Sequence, residues 1–402
     1  GLNEEGLAYL ACNLSDNTVD KILILTSNES KSKKFEEEIK TYTSDVKRLL
    51  PKEFILYNVD ALSKDIDYQR TNIFDRIIST KKIIVTASVN SIATRVMSKD
   101  RFKKYIIELK YGKSYDLNEL KSNLIKLKYE RVDAVEGIGQ FSVRGGIIDI
   151  FSPSETNPCR IEFFDDEIDS IRLIDIKTQR SVKNQKSIKI IPCSDVIFEE
   201  DEIKKVLSEV EKDYNKRLGK IKTLPDSKEA EKRLKNLFNS YNSKLSEGFS
   251  IENADMLVPY IEEEFVSILD YFDDDFIVMI DEPERVFEEL KTLNESFQVK
   301  YGELFEKGEI FKKQNKIYYE EHEIKAKLLE KNYIALNSNT NKAIDTEETI
   351  QFLFKEAPSY YGKLDDLSKD LNRYKYKGYK IAIVLSNQDG CRKLYNLLND
   401  YE

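Results

Sequence analysis

Residues 1–105 alternate between short apolar runs and charged segments with a helical period. Lys21–Leu25 is an apolar run that ends at Thr-Ser-Asn, a pattern typical of a parallel strand buried on both faces. Ser30–Lys40 predicts the helix that follows, because its apolar residues lie four positions apart among charged ones. Phe54–Val59 and Lys82–Thr86 predict further strands, and Val89–Met97 predicts another helix. Repeated strand–helix units indicate a parallel sheet of the nucleotide-binding type.

The pattern changes after Lys110. Asp116–Leu127 predicts an amphipathic helix with its leucines on one face. Short β-branched and aromatic runs follow, separated by turn-forming residues, and they predict antiparallel strands at Ile147–Phe151, Arg160–Phe164 and Ile168–Ile174. The α/β pattern resumes near Pro192. We therefore expect an antiparallel module inserted into the first domain.

One face of the predicted strand 160–164 is unusual for a sheet. Side chains alternate across a strand, so Arg160, Glu162 and Phe164 share a face. An arginine beside a phenylalanine on a rigid sheet has the composition of a protein interface. The alternative is that Phe164 is buried beneath a helix and that Arg160 pairs with Glu162 or Asp165.

The stretch after residue 195 is first helical and then returns to a buried strand. Glu202–Arg217 and Ser227–Leu245 predict densely charged helices with one apolar stripe. Phe276–Ile280 predicts a buried strand that runs into Asp281 and Glu282. An acidic pair in that position is where motor ATPases hold magnesium and a water molecule.

The first residues test whether such an ATPase site is intact. Gly1 and Gly6 keep the G-x-x-x-x-G spacing of a phosphate loop, but Leu7 and Ala8 follow in place of Lys and Ser/Thr. Leucine cannot neutralise phosphate charge, and alanine has no hydroxyl for magnesium. We therefore predict a degenerate nucleotide site, with no ATP and no catalytic residue, formed by Gly1, Gly6, Leu7, Ala8, Asp281 and Glu282.

A last segment begins near Gly308. Its strand candidates are Ile317–Tyr319, Tyr333–Leu336 and Lys380–Leu385, and its helix candidates are Leu364–Tyr374 and Gly390–Leu398. This arrangement predicts a small α/β domain without catalytic residues.

Composition narrows the function further. The 402 residues are 40% hydrophobic and 34% charged, with a formal net charge of −9. Between Ile106 and Asp195 there are 14 Lys/Arg and 15 Asp/Glu residues, so the sequence has no basic excess for binding DNA.

The cysteine spacing and the hydropathy bear on metal sites, disulfides and membrane spans. The cysteines are far apart and the chain has a single histidine, so we predict neither a metal site nor disulfides. No apolar run approaches the roughly 18 residues of a membrane span, and no signal peptide precedes the fold. We expect a cytoplasmic protein.

Residues 141–181 read FSVRGGIIDIFSPSETNPCRIEFFDDEIDSIRLIDIKTQRS. The order RGGIIDIF, RIEFF, DEIDSIR and TQRS closely resembles the UvrB-homologous module of the bacterial transcription-repair coupling factor family (Mfd). The resemblance implies an α/β multidomain protein with a degenerate RecA-like, UvrB-like parallel-sheet domain, an inserted antiparallel α+β module and a small α/β domain. The corresponding ranges are 1–108 and 196–307 for the UvrB-like domain, 109–195 for the UvrA-binding module and 308–402 for the small domain.

The resemblance also implies a function. In this family the inserted module recruits the UvrA damage sensor to stalled RNA polymerase, and the matching UvrA-binding positions are Arg144, Arg160 and Phe164. The ATP-dependent translocase, the polymerase-binding and duplex-DNA-binding domains and a C-terminal regulatory domain lie outside these 402 residues in the family. This region is then a scaffold without chemistry.

The alternative is an ATP-dependent, UvrB-like protein that handles damaged DNA. UvrB itself needs an intact phosphate loop and a long β-hairpin that grips DNA. Gly1–Ala8 lacks the first, and the sequence of residues 60–105 shows no such hairpin.

Overall fold

The computed structural model describes residues 4–52, 64–222, 228–246, 254–273, 275–337, 344, 346–351, 358–385 and 387–399. By internal contacts the chain divides into two units between residues 351 and 352. No helix in these ranges is long and apolar enough to cross a membrane.

The first unit is mixed α/β. Its helices are α1 (Glu4–Asn17), α2 (Glu29–Lys40), α3 (Asp65–Ser79), α4 (Val89–Ile92), α5 (Lys99–Lys104), α6 (Leu117–Lys126), α7 (Glu200–Ile221), α8 (Lys228–Ser246), α9 (Pro283–Lys307) and α10 (Glu321–Leu329). Its strands are β1 (Lys21–Thr26), β2 (Val46–Leu49), β3 (Ile83–Ser88), β4 (Arg95–Met97), β5 (Ile107–Lys110), β6 (Glu130–Arg131), β7 (Gln140–Arg144), β8 (Ile147–Ile150), β9 (Cys159–Phe164), β10 (Glu167–Ile174), β11 (Ser181–Asn184), β12 (Ser187–Ile190), β13 (Phe265–Ser267), β14 (Phe276–Asp281) and β15 (Asn332–Leu336).

A five-stranded parallel sheet forms the centre of this unit, in the order β15-β14-β1-β3-β2. The apolar runs form its inner strands because both faces are covered by helices. On β1, Leu23 and Leu25 enter the larger core, whereas Ile22 and Ile24 pack in a second cluster on the opposite face with α1 and α2. The prediction of a parallel α/β sheet is confirmed.

The separate elements predicted in residues 1–105 are confirmed only in part. The strands near Lys21 and Lys82 and the helix near Ser30 are present. The predicted helix Val89–Met97 is wrong beyond its first turn, because Arg95–Met97 forms a strand that pairs with β13. The predicted strand Phe54–Val59 lies outside the described residues.

The inserted module is built around a six-stranded sheet in the order β11-β10-β9-β8-β7-β6. Its two ends are joined where β5 pairs antiparallel with β12, from Ile107 opposite Ile190 to Lys110 opposite Ser187. The apolar side of the sheet packs with Leu120 and Leu124 of α6 in the core that also contains Leu23 and Leu25. Module and parallel-sheet domain therefore share one continuous core.

The parallel sheet extends beyond residue 307. β15 lies parallel to β14, with Leu336 opposite Asp281. The predicted strand Ile317–Tyr319 is not a strand, since residues 312–316 form a 3-10 helix and Tyr318 makes a single bridge to Thr94. The contact division falls at 351/352, whereas the boundary predicted from the sequence was 308.

The second unit contains α11 (Leu364–Tyr376) and α12 (Gln388–Asn399) in its described part. Both helices were predicted. The strand predicted at Lys380–Leu385 forms no ladder here, and its side chains are exposed. A strand requires a neighbouring strand, and none of the residues described in this unit supplies one.

Candidate functional site: a charged face of the inserted module

The Gly145–Gly146 turn sets the geometry of the predicted site. Arg144 pairs with Ile147, which leaves a two-residue hairpin loop between β7 and β8. Gly145 has φ +61°, as the first position of such a turn can require. A Cβ on Gly146 would lie 2.9 Å from the carbonyl oxygen of Phe163. The turn therefore lets β9 approach and aligns Arg144 with the residues of β9.

Strand register then brings three polar residues to one side of the sheet. Asp149 of β8 lies opposite Ser142 of β7 on one flank and opposite Arg160 of β9 on the other. We call this side the outer face; it carries Arg144, Asp149, Arg160, Glu162, Phe164 and Arg172.

Asp149 is the centre of the outer face. Arg160 donates from Nε to Oδ1 of Asp149 at 2.7 Å and from Nη2 to Oδ2 at 2.8 Å. Arg144 donates from Nη2 to the same Oδ2 at 2.9 Å. The bonds to Asp149 outweigh partial desolvation and raise the pKa of the Arg160 guanidinium. One buried carboxylate thus orients two guanidinium groups.

The two arginines differ in how far they reach solvent. The Arg144 side chain is 56% exposed, whereas that of Arg160 is 17% exposed. Arg160 is further restrained by donating from Nη2 to Oε1 of Gln179 at 2.9 Å. Arg144 can therefore reach an incoming carboxylate without leaving Asp149.

Phe164 lies at the end of β9 and is 81% exposed. The next residue, Asp165, has φ +56° and begins the turn into β10. The alternative arrangement, with Phe164 buried and Arg160 paired to Glu162 or Asp165, is not the one in the structure. Glu162 instead accepts hydrogen bonds from Arg172 and from Ser170.

Sequence reasoning missed Asp149, Arg172 and Gln179. The signal for Asp149 was available, because it is the only charged residue in the apolar run Ile147–Phe151. Its partners depend on strand register, which the sequence alone did not give. Cys159, next to Arg160, is buried, and burial raises the pKa of its thiol to about 12.

The described residues of the predicted nucleotide site belong to α1 and to the carboxyl end of β14. Gly6, Leu7 and Ala8 are buried in α1, which leads directly into β1, and Gly1 lies outside the described residues. At the end of β14, Asp281 accepts a hydrogen bond from Nζ of Lys31 at 2.8 Å. The backbone N–H of Glu282, at φ +51°, donates to the carbonyl oxygen of Leu336 at 2.8 Å.

Buried ion pairs fix the end of the module to the parallel-sheet domain. Arg70, which is fully buried, donates to Asp195 at 3.0 Å, and Lys52 donates to Asp195 at 2.6 Å. Burial opposes ionisation of Asp195, but Lys52 and Arg70 together lower its pKa. Lys52 also contacts Asp255, whose pKa is raised to about 6 by burial. These contacts join Asp195, at the end of the module, to residues of the parallel-sheet domain.

Residues 107–195 match the family model of the UvrB interaction domain. The chain is 28% identical over 382 residues to the transcription-repair-coupling factor of Staphylococcus haemolyticus, which covers 94% of this chain and 32% of that protein. It is 26% identical over 410 aligned positions to the transcription-repair-coupling factor of Bacillus subtilis, which covers 100% of this chain and 34% of that protein. The chain thus spans about a third of the length of the curated relatives it matches. Over nearly its whole length the chain is thus similar to a region of the transcription-repair-coupling factors, and residues 107–195 match the UvrB interaction domain.

Proposed function

We propose that this region recruits the UvrA damage sensor during transcription-coupled DNA repair and that the outer face is the UvrA-binding surface. The observation that carries the proposal is the shared Asp149, which holds Arg144 and Arg160 in fixed orientations beside an exposed Phe164. The coincidence of this cluster with the UvrB interaction domain supports it.

The chemistry of the cluster suits protein binding. Arginine presents a planar fork to carboxylates and stays charged when it is partly desolvated. Phe164 supplies apolar area. Because the ring is exposed in this structure, the free energy of burying it would be gained when a partner binds. Because the guanidinium groups are already oriented, little side-chain entropy would be lost.

The same proposal assigns no chemistry to this region. Leu7 and Ala8 are packed in the core, and Lys31 places an ammonium group on the acidic strand end. We therefore propose that the region uses no nucleotide or magnesium. In the complete protein, ATP-driven movement on duplex DNA and contact with RNA polymerase would belong to other domains.

Titration calorimetry against purified UvrA tests the binding proposal. Arg160→Ala and Phe164→Ala should each weaken binding by about 2 kcal/mol, roughly thirtyfold in affinity, because each removes an interface anchor. Tyr9→Ala is a matched control, since Tyr9 is a half-exposed aromatic residue on α1. Unchanged affinity in the Arg144, Arg160 and Phe164 triple alanine variant would refute the proposal.

A nucleotide assay tests the scaffold part separately. A fluorescent ATP analogue should not bind at micromolar concentration, and no ATP should be hydrolysed. Turnover that is lost on changing Asp281 to Asn and Glu282 to Gln would instead show an active site at the carboxyl edge of the sheet.

A further inference from the structure

The module has nearly equal numbers of acidic and basic residues, but the two kinds of charge are separated along one strand. Residues 162–169 contain five carboxylates and no Lys or Arg, whereas residues 176–186 contain four cations and no Asp or Glu. β10 connects the two segments, and its eight residues span roughly 25 Å at the usual strand rise. The carboxylates of Asp165 to Asp169 therefore lie at the start of β10, and Lys177, Arg180 and Lys183 lie at its end. Lys186 lies further back along β10, because β11 runs antiparallel to it and the backbone N–H of Gln185 donates to the carbonyl oxygen of Ile171.

The basic end is an exposed edge of the sheet. We call residues 177–186 the basic hairpin; they include β11, which is an edge strand of the six-stranded sheet. All four residues of β11 are exposed. The side chains of its cations are exposed and form no ion pair within the described part of the chain: Lys177, Arg180, Lys183 and Lys186.

The basic hairpin is attached to the outer face by a specific contact. Gln179, at φ +55° between Lys177 and Arg180, accepts the hydrogen bond from Arg160. Asp175 fixes the same turn, because its carboxylate accepts hydrogen bonds from the backbone N–H and the hydroxyl of Thr178. The cations are thus held next to one of the proposed anchors.

We propose that the basic hairpin extends the UvrA-binding surface and steers an acidic surface of that partner onto the outer face. The proposal rests on the proposed function above. Unpaired charges at a surface act over about 10 Å at moderate salt and raise the rate of encounter. Exposed pairs add little to the stability of the final complex, so the effect belongs to association rather than dissociation.

The charge distribution favours a protein partner over nucleic acid. A DNA duplex would extend past the hairpin along its own axis, and the carboxylates at the start of β10 and the chain's net charge of −9 would repel it. A protein surface of limited size can match the basic end alone. The opposite charges along β10 also favour one orientation of such a surface.

Association kinetics test this proposal with two variants of equal charge. The first carries Lys177→Gln, Arg180→Gln, Lys183→Gln and Lys186→Gln. The control carries Lys204→Gln, Lys216→Gln, Lys232→Gln and Lys235→Gln, four exposed lysines of α7 and α8. Thermal melts should show both variants folded, because all eight side chains are exposed.

Binding of each variant to UvrA is followed by stopped-flow at low and high salt. The association rate constant of the hairpin variant should be about tenfold lower than that of the unmodified chain at about 50 mM NaCl, and equal to it at about 500 mM. Its dissociation rate constant should change less than about twofold, and the control variant should behave like the unmodified chain.

The outcomes separate this proposal from the proposed function. Equal association rates for the hairpin and control variants overturn the extension, while weaker binding by Phe164→Ala still supports the outer face. If Phe164→Ala and the triple variant bind UvrA normally, both proposals fall. A DNA duplex of about 20 base pairs is tested in parallel. If the unmodified chain and the control variant bind this duplex, the hairpin variant does not, and UvrA association is unchanged, then the hairpin binds nucleic acid and the proposal is overturned.

Discussion

The outer face of the antiparallel sheet and the carboxyl edge of the parallel sheet use similar charged groups in opposite ways. On the outer face, buried Asp149 supports Arg144, whose side chain is 56% exposed. At the carboxyl edge, Asp281 is paired with Lys31, and both side chains are mostly buried. Asp149 holds Arg144 toward solvent and so leaves it available to a partner, whereas the Asp281–Lys31 pair lies mostly inside the fold. This difference is one reason why we propose the module, and not the carboxyl edge, as the binding surface.

The sharpest test of this comparison contrasts two phenylalanines of one sheet. Phe141 of β7 is fully buried, so Phe141→Ala should destabilise the fold by about 3 to 5 kcal/mol through lost burial and a cavity. Phe164→Ala should change the free energy of unfolding by no more than about 0.5 kcal/mol, because the ring is exposed. Urea unfolding at constant temperature measures both. A large loss for Phe164→Ala would mean that the ring is packed in solution and unsuited to binding.

The stability of the protein should depend on pH through the ion pairs that Lys52 forms with Asp195 and Asp255. The raised pKa of Asp255, about 6, means that the folded state binds this proton more tightly than the unfolded chain, whose value is near 4. Its contribution to stability is therefore present below about pH 4 and is lost as the pH rises through about 6.

Asp255→Asn should remove this dependence. Relative to the unmodified chain, the variant should gain on the order of 2 kcal/mol between about pH 4.5 and 7. Urea unfolding of both proteins across this range gives the difference, in which the titrating groups distant from Asp255 cancel. Parallel stability curves would show that Asp255 titrates normally.

The smallest expected effect concerns the pair at the carboxyl edge. Lys31→Met should cost about 1 kcal/mol, because it removes the contact between Nζ of Lys31 and the mostly buried carboxylate of Asp281. A double-mutant cycle with Asp281→Asn isolates the coupling between the two side chains. Lys33→Met is the control on the same helix, since Lys33 is 60% exposed and should cost little. Zero coupling would remove the contrast between the two regions.

Local pattern was enough to predict much of this molecule. The run at Lys21–Leu25 predicted a buried strand because burial on both faces requires apolar residues at every position. Alternation along 160–164 correctly placed Arg160 and Phe164 on one face. Both features depend only on residues that are close together in the sequence, so the sequence alone predicts them.

Long-range pairing accounts for most of the misses. Arg95–Met97 is a strand because it meets β13 about 170 positions later, a partner that helical periodicity could not reveal. The role of Asp149 follows from the register of three strands. β15 joins the parallel sheet after the long helix α9. The sequence of residues 332–336 predicts a strand but does not reveal that its partner is β14.

The position of β1 at the centre of the parallel sheet has a consequence for synthesis. Leu23 lies opposite Val278, which is added 255 residues later. At the usual rates of translation this delay is roughly 10 to 50 seconds, and one apolar edge of β1 has no native partner during that time. All strands of the inserted sheet lie between residues 130 and 184, so that sheet can pair much earlier. On the ribosome, the inserted sheet can therefore form while the parallel sheet still lacks β14 and β15.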